Sequence, residues 1–311
     1  MMKASEHGPT RIPIPEMTGF DRERFDREFR GPSTPVVLRG AAADWPAVAK
    51  WSPEYFATNY GTLEVAPSVN LPDTEVPYQF TDEDHRRTMT VAEFVDWMAT
   101  GDRCYIDQMA ATLYSGIEAD YSFDDFAPPD VKAMVFWMGA RTCSGLHYDY
   151  VDNFFAQVHG TKQVILAAPD EARHLHLFGD CHTKSQVAPQ HPDLKAHPRF
   201  REATVLESTL QPGDVLFLPK AWWHYFASSE RSISLSCWHG TPMSHTHDVR
   251  VMMSIHSPGA WLGLVRDFFW YGMLNRPYRR RLYSPAPTGR MLYELVASMM
   301  PFRRQRPSAR Q

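Results

Sequence analysis

The chain has 311 residues, 43% hydrophobic and 22% charged, which allows a sizeable core and excludes a mainly disordered polypeptide. A net charge of -4 speaks against a general nucleic-acid binder, so no nucleic acid is expected among its partners. That charge is uneven: from Thr246 onward there are eleven Arg, no Lys and three acidic residues.

The first 102 residues read as a mixed α/β elaboration. Asp21 to Arg30 sets Phe25 and Phe29 four apart, the spacing of a short amphipathic helix. Pro35 to Gly40 is a β-rich run closed by glycine. Ser52-Pro53 reads as a helix start, and Thr90 with Glu93 as a capping box ahead of the apolar face Phe94, Trp97 and Met98. The Pro-containing stretch from Leu71 to Phe80 predicts a surface loop.

From 103 to 245 the pattern changes to short β-like runs: Cys104–Ile106, Ala133–Trp137, Asn153–Val158, Gln163–Ala167, Val215–Leu218 and Ile233–Trp238. Turn residues separate them at Gly160-Thr161, Pro212-Gly213-Asp214 and Ser228-Ser229. Many short strands with polar turns predict a mainly β core of jelly-roll type, with 170–202 as an insert rich in His, Pro and Asp. The segment 246–311 reads as helical again, at Ala260 to Leu274 and Met291 to Met300. Its apolar helix, followed by Arg276, Arg279, Arg280 and Arg281, predicts a homodimer contact; attachment to an anionic membrane surface is the second reading. No run of about 18 apolar residues exists to span a bilayer. Cys104, Cys143, Cys181 and Cys237 form no CxxC pair, and the first residues carry no apolar signal region, so a reducing cytoplasm is the expected location.

The sharpest local feature is Gly145-Leu146-His147-Tyr148-Asp149. On an extended segment residues i and i+2 share a face, so the imidazole of His147 and the carboxylate of Asp149 can meet one ion. A third ligand comes from His224, which follows a Pro-Gly-Asp turn and the strand-like Val215–Leu218. Two His and one carboxylate leave three coordination positions open, as in non-haem iron oxygenases, although zinc hydrolases use similar sets. His174 with His176 and His245 with His247 also alternate; without a carboxylate at the right offset they read as solvated or structural. His159, beside a turn, reads as surface.

At this point the chain resembles a family. HYD at 147–149, NFFAQVHGTKQVIL from Asn153, LQPGDVLFLPKAWWHY from Leu210 and the upstream PVVLRGAAADWPAVAKW from Pro35 are similar to the JmjC-like cupin oxygenases, the group around factor inhibiting hypoxia-inducible factor. The resemblance implies a double-stranded β-helix and three small partners: iron(II), 2-oxoglutarate and dioxygen. It makes His147, Asp149 and His224 the catalytic metal ligands. Lys162 matches the lysine that pairs with the distal carboxylate of 2-oxoglutarate, a role consistent with the need of a buried ammonium for an anion. By position alone Lys162 is an ordinary lysine after a turn. Tyr105 and Ser144 match hydroxyl donors to the same carboxylate, Asn153 a polar neighbour of the metal, and Ser236 stands where a relative has Asn. Tyr105 and Asn153 could equally be ordinary strand packing. Asp107, Lys184 and Trp238 fall at substrate-contact positions; Asp107 replaces a Gln, and Thr183 and Lys184 an Arg-Gln pair, so asparaginyl specificity does not carry over. The implied reaction is hydroxylation of a C–H bond on a protein or peptide side chain. A small-molecule hydroxylase, an N-demethylase or a non-catalytic metal-binding cupin are the alternatives.

Overall fold

A computed structural model describes residues 8–179, 181, 183–240, 258–283 and 286–299. Two sheets face each other. The larger has seven strands in the order β2 (Glu16–Thr18), β3 (Val36–Arg39), β11 (Val215–Leu218), β8 (Asp152–His159), β13 (Arg231–His239), β7 (Val131–Ala140) and β6 (Cys104–Ala110). The smaller runs β1 (Thr10–Pro13), β10 (Thr204–Leu210), β9 (Lys162–Ala167) and β12 (Trp223–Ala227). A separate ribbon pairs β4 (Glu64–Val65) with β5 (Met89–Thr90).

Strand alternation sorts the residues into layers. On the large sheet Phe136, Met138, Phe154, Ala156, Ile233 and Leu235 point outward, into a core that also holds Phe25, Trp51, Phe56 and Phe94 from the N-terminal helices. Those helices exist to cover this face: Pro53–Tyr60 is capped by Ser52, and Val91–Ala99 by the Thr90–Glu93 capping box. On the opposite face Phe155, Leu216 and Leu218 meet Val164, Leu166 and Phe226 of the small sheet, with Phe155 stacked on Phe226 at 4.4 Å between ring centroids. The small sheet's outer face, with Ile165, Trp223 and Tyr225, is covered by Leu175, Val187 and Phe200 from the segment between β9 and β10. The site lies between the sheets, where every second residue of several strands converges.

Three expectations need correction. Asp21 to Arg30 is one α-helical turn, Arg22–Phe25, that widens into a π-turn, Asp26–Arg30. Likewise the apolar C-terminal helix ends at Asp267 and continues as a π-turn, Phe268–Met273. The stretch 71–80 is not a surface loop: Tyr78 is fully buried and Val76 and Pro77 are buried beside it, because the run folds inward over the site. Among the described residues no helix is long and apolar enough to cross a membrane. All four cysteines are free and buried.

Candidate metal centre and its cavity

His147 does not sit on a strand of either sheet. It lies in the extended segment between β7 and β8, bridged on one side to His224 and on the other to Lys184. The bridge to His224 has both backbone bonds, 3.0 Å from the His147 N–H and 2.6 Å from the His224 N–H. It brings the two imidazoles to 4.1 Å between ring centroids. Gly145 lets Tyr78 pack directly on this segment: its φ is +67°, and a Cβ there would lie 2.5 Å from the Tyr78 ring. Ligand atoms of His147, Asp149 and His224 all lie within 4.8 Å of one another, with His224 Nε2 3.7 Å from Asp149 Oδ2.

Backbone carbonyls orient both rings. His147 Nδ1 lies 3.0 Å from the Gly145 carbonyl and His224 Nδ1 3.0 Å from that of Trp222. With Nδ1 donating, Nε2 presents its lone pair to the shared centre. Burial pushes the His147 pKa well down, aided by Lys184 and His224; burial also lowers that of His224. Neutral imidazole is the form that binds a metal. Among the described residues this is the one trio of such groups close enough to share an ion.

The remaining candidates are distributed around one cavity. Tyr105, Asp107, Ser144, Asn153, Lys184, Ser236 and Trp238 line it together with the triad. Lys162 stands behind this lining, 5.3 Å from the Phe155 ring centroid and 5.8 Å from that of Tyr105. It is 1% exposed, and Nζ donates 3.0 Å to Ser234 Oγ. No carboxylate pairs with it among the described residues, and burial holds its pKa down at about 7. Ser144 Oγ donates to the Gly145 carbonyl at 3.0 Å and accepts from the Phe226 N–H at 3.0 Å, so it ties the metal segment to β12. Ser236 Oγ accepts from the Trp137 indole at 3.0 Å and from Asn153 Nδ2 at 3.4 Å, while Asn153 Oδ1 is buried with no partner. Asp107 is engaged: Arg86 holds both its oxygens, at 2.8 and 3.3 Å, and also meets Asp82 at 2.9 Å.

Tyr78, Gln108, Trp137, Phe155, Phe226 and Tyr283 line the cavity and escaped the sequence reading; Tyr78 and Tyr283 come from the least expected segments. Tyr78 donates its hydroxyl to the Ser144 carbonyl. Tyr283 comes from the C-terminal segment and meets Tyr105 edge-on at 5.9 Å. A strap carries it there: Leu282 N–H donates 2.9 Å to the Phe80 carbonyl, and Arg281 donates 2.7 Å to that of Tyr78. Leu282 is fully buried against Leu71 and Tyr105. Tyr78 was hidden because a Pro-rich run carries no periodicity; Tyr283 because an Arg-rich tail shows nothing of where it docks. His174 is buried and lies near Glu171 and Glu202, a structural placement. His159 is half-buried at the end of β8 instead of lying at the surface, because β13 pairs with it. His245 and His247 fall outside the described residues.

A β-sandwich that gathers two neutral imidazoles and one carboxylate at its centre is the architecture of the JmjC-like cupins. Comparison with known proteins agrees. Residues 22–245 match the family described as Cupin-like domain, and the chain belongs to that family. It is 34% identical over 238 residues to Lysine-specific demethylase 8 of Xenopus tropicalis and 33% identical over 241 residues to that of Danio rerio. Each match covers 72% of this chain, but 52% and 58% of the relatives, so the chain spans little more than half of their length. It is also 29% identical over 246 residues to tRNA wybutosine-synthesizing protein 5 of Gallus gallus, covering 72% of this chain and 76% of that protein. The domain is therefore of the iron(II)- and 2-oxoglutarate-dependent oxygenase class of enzymes.

These relatives overturn the expectation that nucleic acid has no part among the partners, since proteins named for tRNA wybutosine synthesis share this domain. The reasoning failed because net charge is a sum over the whole chain. Recognition by a buried cavity depends on the few groups that line it.

The donor set suits iron(II): nitrogen and oxygen ligands on one side, with the other positions left open. The surroundings suit 2-oxoglutarate as well, because Lys162 is a buried ammonium without an anion.

Proposed function

We propose that this domain binds iron(II) through His147, Asp149 and His224 and 2-oxoglutarate through Lys162, Tyr105, Ser144, Asn153 and Ser236, and hydroxylates a C–H bond of a protein or peptide side chain. The observation that carries this reading is the triad itself, a ring nitrogen from each of two imidazoles and a carboxylate oxygen gathered within 4.8 Å.

Bound iron supplies the coupling of 2-oxoglutarate decarboxylation by dioxygen to hydroxylation, with succinate and carbon dioxide as co-products. The chain's own residues do the rest. Gly145 and Trp222 carbonyls fix both ring tautomers, so the imidazoles need no reorganisation when the metal arrives. Lys162 receives the far carboxylate behind Tyr105 and Phe155, where apolar ring faces exclude water and strengthen the ion pair. Ser144 holds the metal segment against β12, and Asn153 with Ser236 keeps a polar wall beside the open coordination positions. Tyr78 and Tyr283 close the cavity from the N-terminal loop and the C-terminal strap.

A second reading, hydroxylation of a nucleoside in RNA, is supported by the relatives named for tRNA wybutosine synthesis. Succinate release in the presence of peptide pools, RNA pools and no added substrate separates the two. Stimulation by peptides alone supports the first reading; stimulation by RNA alone replaces it with the second. No succinate with any of them, in protein loaded with iron, overturns the oxygenase reading.

A further inference from the structure

Lys184 is a charge in the cavity to which the function proposed above gives no role. It is 8% exposed and lines the same cavity as the triad. Its Nζ lies 4.7 Å from the Tyr78 ring centroid. Among the described residues its side chain has no carboxylate within 4.0 Å and donates no hydrogen bond. The two carboxylates that line the cavity are both engaged elsewhere: Asp149 belongs to the metal trio and Asp107 is held by Arg86. The position is rigid, because the backbone bridges His147 and the Lys184 N–H donates 3.0 Å to the Cys181 carbonyl.

We propose that Lys184 anchors a carboxylate of the substrate, so that the molecule hydroxylated here is an acid and not an amine. The inference deepens the function proposed above and rests on it, because the charge balance assumes the co-substrate. Iron(II), the Asp149 carboxylate and dianionic 2-oxoglutarate together leave one negative charge, which Lys162 cancels. Lys184 then holds one positive charge in excess inside a buried cavity, a costly state unless an anion arrives. A single carboxylate neutralises it. A phosphate dianion overshoots, and an alkylammonium sets like charges together where the dielectric is low. The Tyr78 ring face steers the ammonium without neutralising it. Since Lys184 and His147 are cross-strand partners, the carbons next to the anchored carboxylate are the ones delivered beside the metal ligands.

The test uses the full chain, loaded anaerobically with iron(II) and 2-oxoglutarate, and follows the metal-to-ligand charge-transfer band as probes are added. Propionate stands for a free acid, N-acetylaspartate N-methylamide for an acidic side chain on a peptide unit, methyl phosphate for a phosphate and trimethylammonium for an amine. We expect a carboxylate probe to perturb the band of the wild type. In Lys184→Met and Lys184→Gln its affinity falls at least about tenfold, the loss of one charge-assisted hydrogen bond, and Lys184→Arg retains it. Affinity for 2-oxoglutarate stays within about twofold in all three. The stronger of the two carboxylate probes identifies the source of the acid. The proposal is overturned by equal carboxylate binding in Lys184→Met and Lys184→Gln, by preference for methyl phosphate or trimethylammonium, by no response to any probe, or by a loss of 2-oxoglutarate affinity in the neutral variants. Absence of the band in the wild type is a different failure: it removes the oxygenase reading, and this inference with it.

Discussion

The two faces of the seven-stranded sheet are made from the same strands and do opposite things. On β13, Ile233, Leu235 and Cys237 enter the aromatic core under the N-terminal helices, while Ser232, Ser234 and Ser236 are buried on the other side, toward the metal. On β8, Phe154 and Ala156 alternate with Asn153 and Gln157 in the same way. One face is dry and close-packed, with Phe154 5.2 Å from Phe217 and Phe136 4.8 Å from Phe56 between centroids. The other holds a buried ammonium, hydroxyls and an unpartnered amide oxygen. The difference teaches that stability and chemistry are separated by the pleat: a one-residue register shift would exchange them. The hydrogen bonds Lys162–Ser234–Gln157, at 3.0 and 2.8 Å, give the ammonium one partner but leave its charge uncompensated, and Asn153 Oδ1 and Ser232 Oγ have no partner on the same face.

Substitutions on the two faces should therefore separate function from folding. His147→Ala has the largest effect: iron affinity falls by more than the ~100-fold typical of an outer partner, succinate formation stops, and the chain still unfolds cooperatively. Metal content after gel filtration, together with thermal unfolding, measures both. Phe154→Ala, on the dry face, costs about 3–5 kcal/mol in urea unfolding and leaves 2-oxoglutarate affinity within about twofold. A large affinity loss there would break the comparison.

Lys162→Met sharpens it. Removing the ammonium weakens 2-oxoglutarate binding by roughly 10- to 100-fold, the range for a charge-assisted bond. Stability of the ligand-free chain is unchanged or higher, because an unpaired buried cation goes. The pH dependence has a definite sign. Burial depresses the folded pKa of Lys162 to about 7, below its unfolded value near 10.5, so the unfolded chain holds more protons between those values. Ligand-free stability therefore rises from about pH 7 to about 10.5, and the penalty is fully present below 7. Binding the dianion restores the proton, so affinity weakens above pH 7 by up to about tenfold per unit. Titration calorimetry at several pH values in wild type and Lys162→Met reads this directly; the variant should be flat. The smallest effect is at the strap. Arg279→Ala breaks an exposed ion pair with Asp84, 3.1 Å long, and should cost under about 1 kcal/mol with no change in binding.

Much of this was legible in the sequence, and for a physical reason. Short β-like runs set between turn residues mark strands even where both faces are buried, as at Asn153–Val158 and Ile233–Trp238, and Ile233–Cys237 also alternates apolar with small polar side chains. The spacing of His147 and Asp149 and the position of His224 after a turn and strand nominate the trio weakly, and the family resemblance is what singles it out among the histidines. What stayed hidden was non-local or unpatterned. β1 is exposed along its whole length and holds to β10 by backbone pairing and the Arg11–Glu207 ion pair, so it has no apolar signature. Asp107 reads as a substrate contact until Arg86, 21 residues earlier, is seen to occupy both oxygens. Tyr78 and Tyr283 reach the cavity from segments whose composition suggests loop and tail. The excess of Arg after Thr246 likewise gave no sign that Arg281 would bond to the Tyr78 carbonyl and help seat the strap over the site.

The most direct test of the triad is an anaerobic absorption titration of the full chain with iron(II) and 2-oxoglutarate, set beside His224→Ala. We expect a charge-transfer band in the wild type that saturates at one iron per chain and is missing from the variant. A folded wild-type protein that binds iron yet gives no band, or a band of equal strength in His224→Ala, would contradict the account.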